Sequence, residues 1–242
     1  MFADIHNHIL PGVDDGAATM AEALRMARMA VLEGTDLMAA TPHRAAYSRR
    51  DAPPKWVREN VARLQAALND AGIPLTIAPG TEIPLGPHVA EELADGKLMT
   101  LNDAGRWVLI EPPFERIPRD GLDNLLAIQE AGFGVVLAHP ERNAVIQRDL
   151  TFVEACADMG IAFQITTGSL LGYFGPSARR AAESILAHAE TWQIVLASDM
   201  HDTSERPPNL MVAARDAAAV LVGAEKAQAM VDTTPRSFLA RI

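Results

Sequence analysis

The sequence predicts an α/β fold of one domain, in which seven parallel strands, each followed by helical or loop sequence, close into a barrel. Strand and helix signals alternate from one end of the chain to the other, as they do in repeated βαβ units. The 242 residues are close to the roughly 250 of a typical single α/β barrel. No glycine-rich dinucleotide fingerprint or phosphate-binding P-loop follows a predicted strand, which disfavours an open nucleotide-binding sheet. We therefore expect residues 1–242 to form a single domain.

Short apolar runs mark the strands. Residues 107–110, 135–138 and 194–197 are continuously apolar rather than alternating, which is typical of parallel strands buried on both faces. The predicted strands lie near residues 2–6, 36–41, 75–82, 106–111, 134–139, 161–166 and 193–199. Because these units are many and similar in length, a closed barrel is favoured over an open, doubly wound sheet.

The first two helices have clear boundaries. Thr19 and Glu22 form a capping-box pattern, and Gly34 ends the helix that follows. Its apolar stripe consists of Met20, Leu24, Ala27 and Val31. A second helix is predicted from about residue 54 to residue 71, before Gly72.

Composition excludes several classes of function. The net charge of −10 argues against a nucleic-acid partner, which requires a basic face. Cys156 is the only cysteine, so neither an intramolecular disulfide nor a multi-cysteine metal site is possible. We find neither a secretory signal pattern nor a run approaching the ~20 apolar residues of a membrane span, and we expect a cytoplasmic protein.

Residue types that commonly bind metals stand at the ends of nearly all predicted strands. His6 and His8 are two apart on the first strand, so both imidazoles point the same way. The later strand ends supply His43, Glu82, Glu111, His139, Asp199 and His201. Only the sixth strand offers no charged ligand. Because parallel strands place their carboxyl ends on one side, we expect these side chains to converge on the face where barrel enzymes carry out chemistry.

Three further positions need separate interpretation. Asp14 and Asp15 lie in a loop that either forms a turn before the first helix or supplies a ligand, and we include Asp15 in the candidate set. His88 stands at a probable helix start and His188 inside a predicted helix. We expect both histidines to face solvent or to pack against neighbours rather than to bind metal.

Five histidines and four carboxylates are more donors than one or two ions use, so three ions fit better. Nitrogen and oxygen donors without thiolate suit manganese, iron or zinc rather than calcium. The charge of three divalent cations exceeds that of the four carboxylates by about two units, so the pocket would favour an anion.

These residues stand in motifs that resemble, in the same order, those of the PHP (polymerase and histidinol phosphatase) superfamily. Within it, the chain is similar to the bacterial manganese-dependent tyrosine-protein phosphatases of capsule and exopolysaccharide loci. The motifs occupy residues 4–16, 40–43, 138–143, 164–170 and 197–201. The resemblance covers almost the whole chain and implies a distorted (β/α)7 barrel of PHP type with phosphoric monoester hydrolase activity.

The resemblance also implies a division of the ligands. The first site would contain His6, His8, Glu82 and Asp199, the second Glu82, Glu111 and His139, and the third Asp15, His43 and His201. Arg142 and Arg206 would bind the phosphate and act in catalysis together with Asp199 and His201.

This chain departs from its close relatives at two positions. Pro84 stands where arginine is common, and Arg44 stands where histidine or serine is commoner. Both positions touch the expected rim of the pocket, so they bear on substrate choice.

The expected reaction is hydrolysis of a phosphotyrosine protein, most simply a bacterial tyrosine autokinase of polysaccharide synthesis. A hydroxide held between two ions would attack phosphorus in line with the leaving oxygen. A thiol-based tyrosine phosphatase would be expected to contain a Cys-x5-Arg motif. This route is excluded, because the residue six positions after Cys156 is Ala162 rather than arginine.

Three alternatives remain at this point. A small-molecule phosphatase acting on histidinol phosphate or a sugar phosphate would share the metal centre. A binuclear hydrolase of the amidohydrolase type would be expected to have lysine at the end of the fourth strand, where this chain has Glu111. A non-catalytic regulatory partner of polysaccharide assembly is the third.

Overall fold

The computed structural model describes residues 1–44 and 52–240. The strands in these ranges are β1 (Phe2–Asn7), β2 (Thr35–Ala40), β3 (Thr76–Pro79), β4 (Glu82–Pro84), β5 (Trp107–Glu111), β6 (Gly134–Ala138), β7 (Ala162–Thr166) and β8 (Ile194–Ala197). They form two parallel sheets, with strand orders β1-β2-β3 and β4-β5-β6-β7-β8. The predicted α/β fold with parallel strands is therefore confirmed.

The two sheets join at both ends into one ring. An isolated parallel bridge pairs Asn7 with Met200 and connects β1 to the end of β8. A second bridge pairs His43 with Glu82 and connects the end of β2 to β4. β3 pairs with β2, and β4 pairs with His43 just after β2, so β3 and β4 share one position around the ring. The eight strands therefore form a distorted barrel of seven strand positions.

The prediction of one continuous strand over residues 75–82 is wrong. β3 ends at Pro79, and β4 begins again at Glu82. Proline has no backbone N–H to donate to the ladder. A Cβ on Gly80 would lie 3.1 Å from the Thr41 side chain, so the chain passes close to the end of β2 at this point. The break lets Glu82 turn into the barrel mouth beside His43.

Helices surround the barrel. They are α1 (Met20–Glu33), α2 (Pro54–Asp70), α3 (Val89–Ala94), α4 (Gly121–Glu130), α5 (Thr151–Asp158), α6 (Thr167–Leu170), α7 (Gly175–Leu186), α8 (Met211–Val222), α9 (Ala224–Val231) and α10 (Thr233–Leu239). In α1 the Glu22 N–H donates to Thr19 Oγ1, and Gly34 ends the helix at φ 102°, which confirms the predicted boundaries. No helix in the described part of the chain is both long and apolar enough to cross a membrane.

The barrel interior is filled with small apolar side chains. In β6, Val136 and Ala138 point inward, while Val135 and Leu137 pack in the layer between strands and helices. Phe238 of α10 packs against Trp107, with ring centroids 4.6 Å apart, and covers the amino-terminal end. The candidate ligands lie at the opposite, carboxyl-terminal mouth.

Candidate metal centre

The side chains predicted as metal ligands lie together at the barrel mouth. They are His6 and His8 of β1, Asp15 in the loop that follows, His43 after β2, Glu82 of β4, Glu111 of β5, His139 after β6, and Asp199 and His201 after β8. All except Asp15 are between 0% and 7% exposed. The Asp15 side chain is 50% exposed and marks the solvent side of the cluster.

Their donor atoms form overlapping groups that fit several ions. In each of four sets the donor atoms lie within 4.8 Å of one another: His8 with Asp15, His43 and His201; His6 with His139 and Asp199; His6 with His8 and Glu82; and His43 with Glu82 and Glu111. Adjacent groups share a residue, so ions bound here would lie side by side.

Glu82 lies at the centre of the cluster. Its Oε1 is 3.0 Å from His139 Nε2 and 3.2 Å from His6 Nε2, and its Oε2 is 2.9 Å from His43 Nδ1. Burial opposes ionisation of this carboxyl, but positive charge at His6 and hydrogen bonds from His139 and His43 outweigh it. The pKa of Glu82 is therefore well below its ordinary value. An ionised carboxylate with both oxygens facing donors is suited to bridge two ions.

Asp199 connects the histidines to two arginines. Arg142 Nη1 donates to Asp199 Oδ2 at 2.7 Å, and Arg206 Nη2 donates to the same oxygen. The other oxygen, Oδ1, lies 3.4 Å from His8 Nε2 and 3.5 Å from His6 Nε2. Burial again opposes ionisation, yet Arg206 and His6 hold the pKa of Asp199 well below its ordinary value. One carboxylate thus contacts both the candidate ligands His6 and His8 and the two arginines.

The backbone is left-handed at two of the strand ends. His139 has φ 30° and Asp199 has φ 50°. Such conformations are costly for residues other than glycine and are concentrated at functional sites. Here they turn the two side chains inward at the ends of β6 and β8.

Two buried residues outside the candidate set hold the histidines in place. His8 Nδ1 donates to Asp14 Oδ2 at 2.8 Å, and His6 Nδ1 donates to Gln164 Oε1 at 2.8 Å. The same Gln164 oxygen accepts a hydrogen bond from the backbone N–H of His139 at 3.1 Å. With Nδ1 engaged, each of the two β1 imidazoles presents Nε2 to the cluster, as histidines that bind metals commonly do when their other ring nitrogen donates to a neighbouring group. The sequence reasoning missed both supporting roles.

Gly16 lets the Asp14 loop close over His8. A Cβ at position 16 would lie 2.1 Å from the backbone oxygen of His8, which no side chain could occupy. The Gly16 N–H also donates to Asp14 Oδ1 at 3.0 Å. A glycine two residues after a buried aspartate was the available sequence signal for a tightly packed loop.

Removing the supporting contact is expected to weaken metal binding. Gln164→Leu keeps the approximate volume of the side chain but removes the acceptor for His6, so we expect affinity for Mn²⁺ to fall about 10- to 100-fold. Titration of the metal-free protein against a competing chelator measures it. Gln129→Leu, which breaks a distant bond to the Met159 carbonyl oxygen, is the matched control. An unchanged affinity in Gln164→Leu would contradict the supporting role.

Several buried donor atoms are suited to coordinate a cation. Glu111 Oε1, His139 Nδ1 and His201 Nε2 have no hydrogen-bond partner within the described ranges. Buried polar atoms without partners are destabilising, and coordination to an ion would compensate for the lost hydrogen bonds. The donor set contains nitrogen and oxygen but no sulfur, which suits manganese, iron or zinc. The residues present therefore fit divalent cations.

The stability of the metal-free protein is expected to depend on pH. Burial, followed by repulsion from Glu82, raises the pKa of Glu111 to about 8, and burial raises the pKa of Glu141 to about 7. The folded chain then binds protons that the unfolded chain releases near pH 4.5, so stability falls as pH rises through these values. Burial lowers the pKa of His139 to about 4, so between pH 4 and pH 6.5 this histidine makes stability rise with pH instead. The clear window is therefore pH 6.5 to about 8.

Thermal unfolding in chelator is the measurement. We expect the melting temperature to fall between pH 6.5 and pH 8, and Glu111→Gln to make that fall smaller. A melting temperature that rises over this interval would contradict the sign.

A cavity of about 100 Å³ opens above the donors. It is lined by Asp15, His43, Glu111, Phe114, His139, Arg142, Asp199 and Arg206. Both arginines therefore face the same space as the metal-type ligands. The arrangement suits a small dianion that contacts cations on one side and guanidinium groups on the other.

The remaining expectations from the sequence have clear outcomes. The His88 side chain is 78% exposed beside Glu91, and His188 stacks on Trp192 with centroids 4.1 Å apart, so neither joins the cluster. The predicted helical position of His188 is wrong, because α7 ends at Leu186 and His188 lies in the following turn. Cys156 is buried, and burial raises the pKa of its thiol to about 12, which is unsuited to a nucleophilic thiolate.

Residues 2–240 match the family model described as capsular polysaccharide synthesis, CpsB/CapC. The chain is 38% identical over 207 residues to tyrosine-protein phosphatase YwqE of Bacillus subtilis, covering 84% of this chain and 78% of that protein. It is 30% identical over 248 residues to tyrosine-protein phosphatase CpsB of Streptococcus pneumoniae, covering 98% of this chain and 97% of that protein.

A solved structure shows the same likeness in three dimensions. It comes from a study of YwqE from Bacillus subtilis and CpsB from Streptococcus pneumoniae, described as unique metal-dependent tyrosine phosphatases. The TM-score is 0.90 at 35% sequence identity, and the match covers 98% of this chain and 94% of that one. The resemblance inferred from the sequence motifs is confirmed.

Proposed function

The chain belongs to the CpsB/CapC family of capsular polysaccharide synthesis, and from this premise we propose that it is a metal-dependent tyrosine-protein phosphatase. The observation that carries the proposal is the convergence of nine metal-type donors, five of which line one cavity together with Arg142 and Arg206. A phosphoryl group is the anion that this pairing of cations and guanidinium groups suits best. Residues 1–242 are proposed to act as one phosphoesterase domain.

Three divalent cations, manganese in preference to iron or zinc, are proposed to occupy the centre. His6, His8, Glu82 and Asp199 would hold the first, and Glu82, Glu111 and His139 the second. Asp15, His43 and His201 would hold the third. The short distances from Asp15 Oδ1 to His201 Nε2, 3.3 Å, and to His43 Nε2, 3.5 Å, support the last group. When bound, such ions lower the pKa of water to supply a nucleophile near neutral pH and neutralise charge on the phosphoryl group.

Arg142 and Arg206 are the side chains proposed to bind the phosphoryl group directly. Their guanidinium N–H groups face the cavity and would donate to the phosphoryl oxygens as charge redistributes in the transition state. Asp199 holds both guanidinium groups in place through Oδ2, so little reorganisation is needed when the substrate enters. Water adds to phosphorus, the bond from phosphorus to the tyrosine oxygen breaks, and tyrosine and phosphate are released.

The leaving group makes a modest demand on the site. Tyrosine has a pKa of about 10 and departs more readily than an alkyl alcohol, so a dedicated general acid is less important than for phosphoserine. The proposed substrate is a phosphotyrosine protein of capsular polysaccharide synthesis, specifically a tyrosine autokinase. A cytoplasmic location forms part of the proposal, and the single cysteine supports a reducing compartment.

Kinetics on reconstituted protein test this function. Protein stripped with a chelator should be inactive on p-nitrophenyl phosphate and regain activity with Mn²⁺, whereas a regulatory partner without catalysis would stay inactive. With Mn²⁺ bound, a phosphotyrosine peptide should be hydrolysed with higher kcat/KM than histidinol phosphate. A clear preference for histidinol phosphate would instead identify a small-molecule phosphatase.

A further inference from the structure

A stack of flat groups runs from the metal-type ligands to the outer rim. The Phe114 ring lies parallel to the His139 ring, with centroids 5.5 Å apart and an interplanar angle of 13°. The Arg142 guanidinium carbon lies 4.8 Å from the Phe114 centroid and 4.3 Å from the Phe174 centroid. Arg142 is therefore held between two phenyl rings, and Phe114 lies between a candidate ligand and a candidate phosphate-binding group.

The position of the outer ring is fixed by its backbone. Gly172 and Gly175 flank the segment at φ +87° and +86°, conformations that other residues rarely adopt. A Cβ on Gly168 would lie 3.0 Å from the Phe174 ring, so the ring packs directly on the α6 backbone. Tyr173, by contrast, is 60% exposed and points away into solvent. Of the two neighbouring aromatic side chains, Phe174 and not Tyr173 therefore contacts Arg142.

The two rings are more exposed to solvent than most of the donors. Phe114 lines the cavity, and Phe174 lines an adjoining pocket that shares Asp199 and Arg206 with it. Both rings are half-buried, whereas eight of the nine candidate ligands are no more than 7% exposed. A phosphoryl group that contacts the ligands and Arg142 would place its ester oxygen below the level of the rings. The group attached to that oxygen would then lie at the level of Phe114 and Phe174.

We propose that Phe114 in the cavity and Phe174 across Arg142 from it are specificity-determining residues, whose exposed ring edges select aryl over alkyl phosphates. The inference rests on the proposed function and names the residues that would recognise the tyrosine ring. An aromatic substituent can pack against the edges of these rings, while a serine side chain is too short to make such a contact. Covering both faces of Arg142 also leaves only its N–H edge for the phosphate.

Ligand pairs that differ only in the ring separate this role from simple positioning of Arg142. Calorimetry on the Mn²⁺-loaded protein would compare benzylphosphonate with methylphosphonate, neither of which is hydrolysed. We expect the wild type to prefer benzylphosphonate. Phe114→Leu and Phe174→Leu should each weaken its binding about three- to tenfold, in line with the worth of an aromatic pair, with methylphosphonate affinity unchanged.

Kinetics give the second readout. The same variants should lower kcat/KM for a phosphotyrosine peptide by about three- to tenfold, without changing inhibition by inorganic phosphate. Phe114→Trp retains a ring and should keep the preference. Phe133→Leu, at the opposite end of the barrel before β6, is the matched control for loss of a phenylalanine.

Two results would overturn the inference. One is equal loss of affinity for both phosphonates, which would mean that the rings act only through Arg142. The other is a wild type that binds both phosphonates equally. Failure of the proposed function is distinguishable, because it appears as preference for histidinol phosphate in the kinetics while the phosphonate comparison still reports on the rings.

Discussion

Glu82→Gln is expected to lower kcat on p-nitrophenyl phosphate on the order of a thousandfold and to reduce the metal content of the purified protein. Glu82 faces His6 and His139 with one oxygen and His43 with the other. The amide replaces one of those oxygens with a nitrogen that cannot coordinate a cation, and it removes the negative charge shared by neighbouring groups. Steady-state kinetics and metal analysis of the same sample measure both effects.

Glu130→Gln is the matched control, because Glu130 is exposed at the end of α4 on the outside of the barrel. It should retain full activity and metal content. Glu82→Gln protein that keeps its full metal content and wild-type kcat would show that Glu82 does not bridge ions, whatever its central position.

The second large effect is expected from the two arginines. Arg142→Ala and Arg206→Ala should each lower kcat about 10²- to 10³-fold and weaken inhibition by phosphate, since each removes a charged donor from the cavity. Both guanidinium groups contact the same Asp199 oxygen, so the effects in the double variant should not be additive. Stopped assays with a phosphotyrosine peptide, arranged as a double-mutant cycle, provide the comparison.

Arg179→Ala is the control for loss of an arginine, because Arg179 pairs with Glu183 on the exposed face of α7. Lysine at position 142 or 206 should restore only part of the activity, because an ammonium group lacks the planar pair of donors. Wild-type kcat in both alanine variants would contradict the role given to these arginines.

Much of the fold and the positions of the candidate ligands could be predicted from the sequence. Buried parallel strands are continuously apolar, so a histidine or carboxylate directly after such a run is conspicuous. Parallel topology then fixes which end of the barrel it occupies. This reasoning brought His43, Glu111 and His139 together from positions far apart in the chain. The break between β3 and β4 was missed, although Pro79 and Gly80 were its visible cause.

The supporting residues could not be predicted, because their roles depend on tertiary contacts. Gln164 is 158 positions from His6, and nothing in the local pattern of β7 indicates which imidazole it contacts. Phe114 and Phe174 acquire their role only by packing on either side of Arg142. Asp14 was left between a turn and a metal ligand, whereas it accepts a hydrogen bond from His8 Nδ1.

Anomalous diffraction from crystals of the Mn²⁺-loaded protein tests the central claim most directly. We expect three peaks at the barrel mouth: one beside His6 and His8, one beside Glu111 and His139, and one beside Asp15 and His201, with Glu82 between the first two. A single peak, or peaks remote from Glu82, would contradict it.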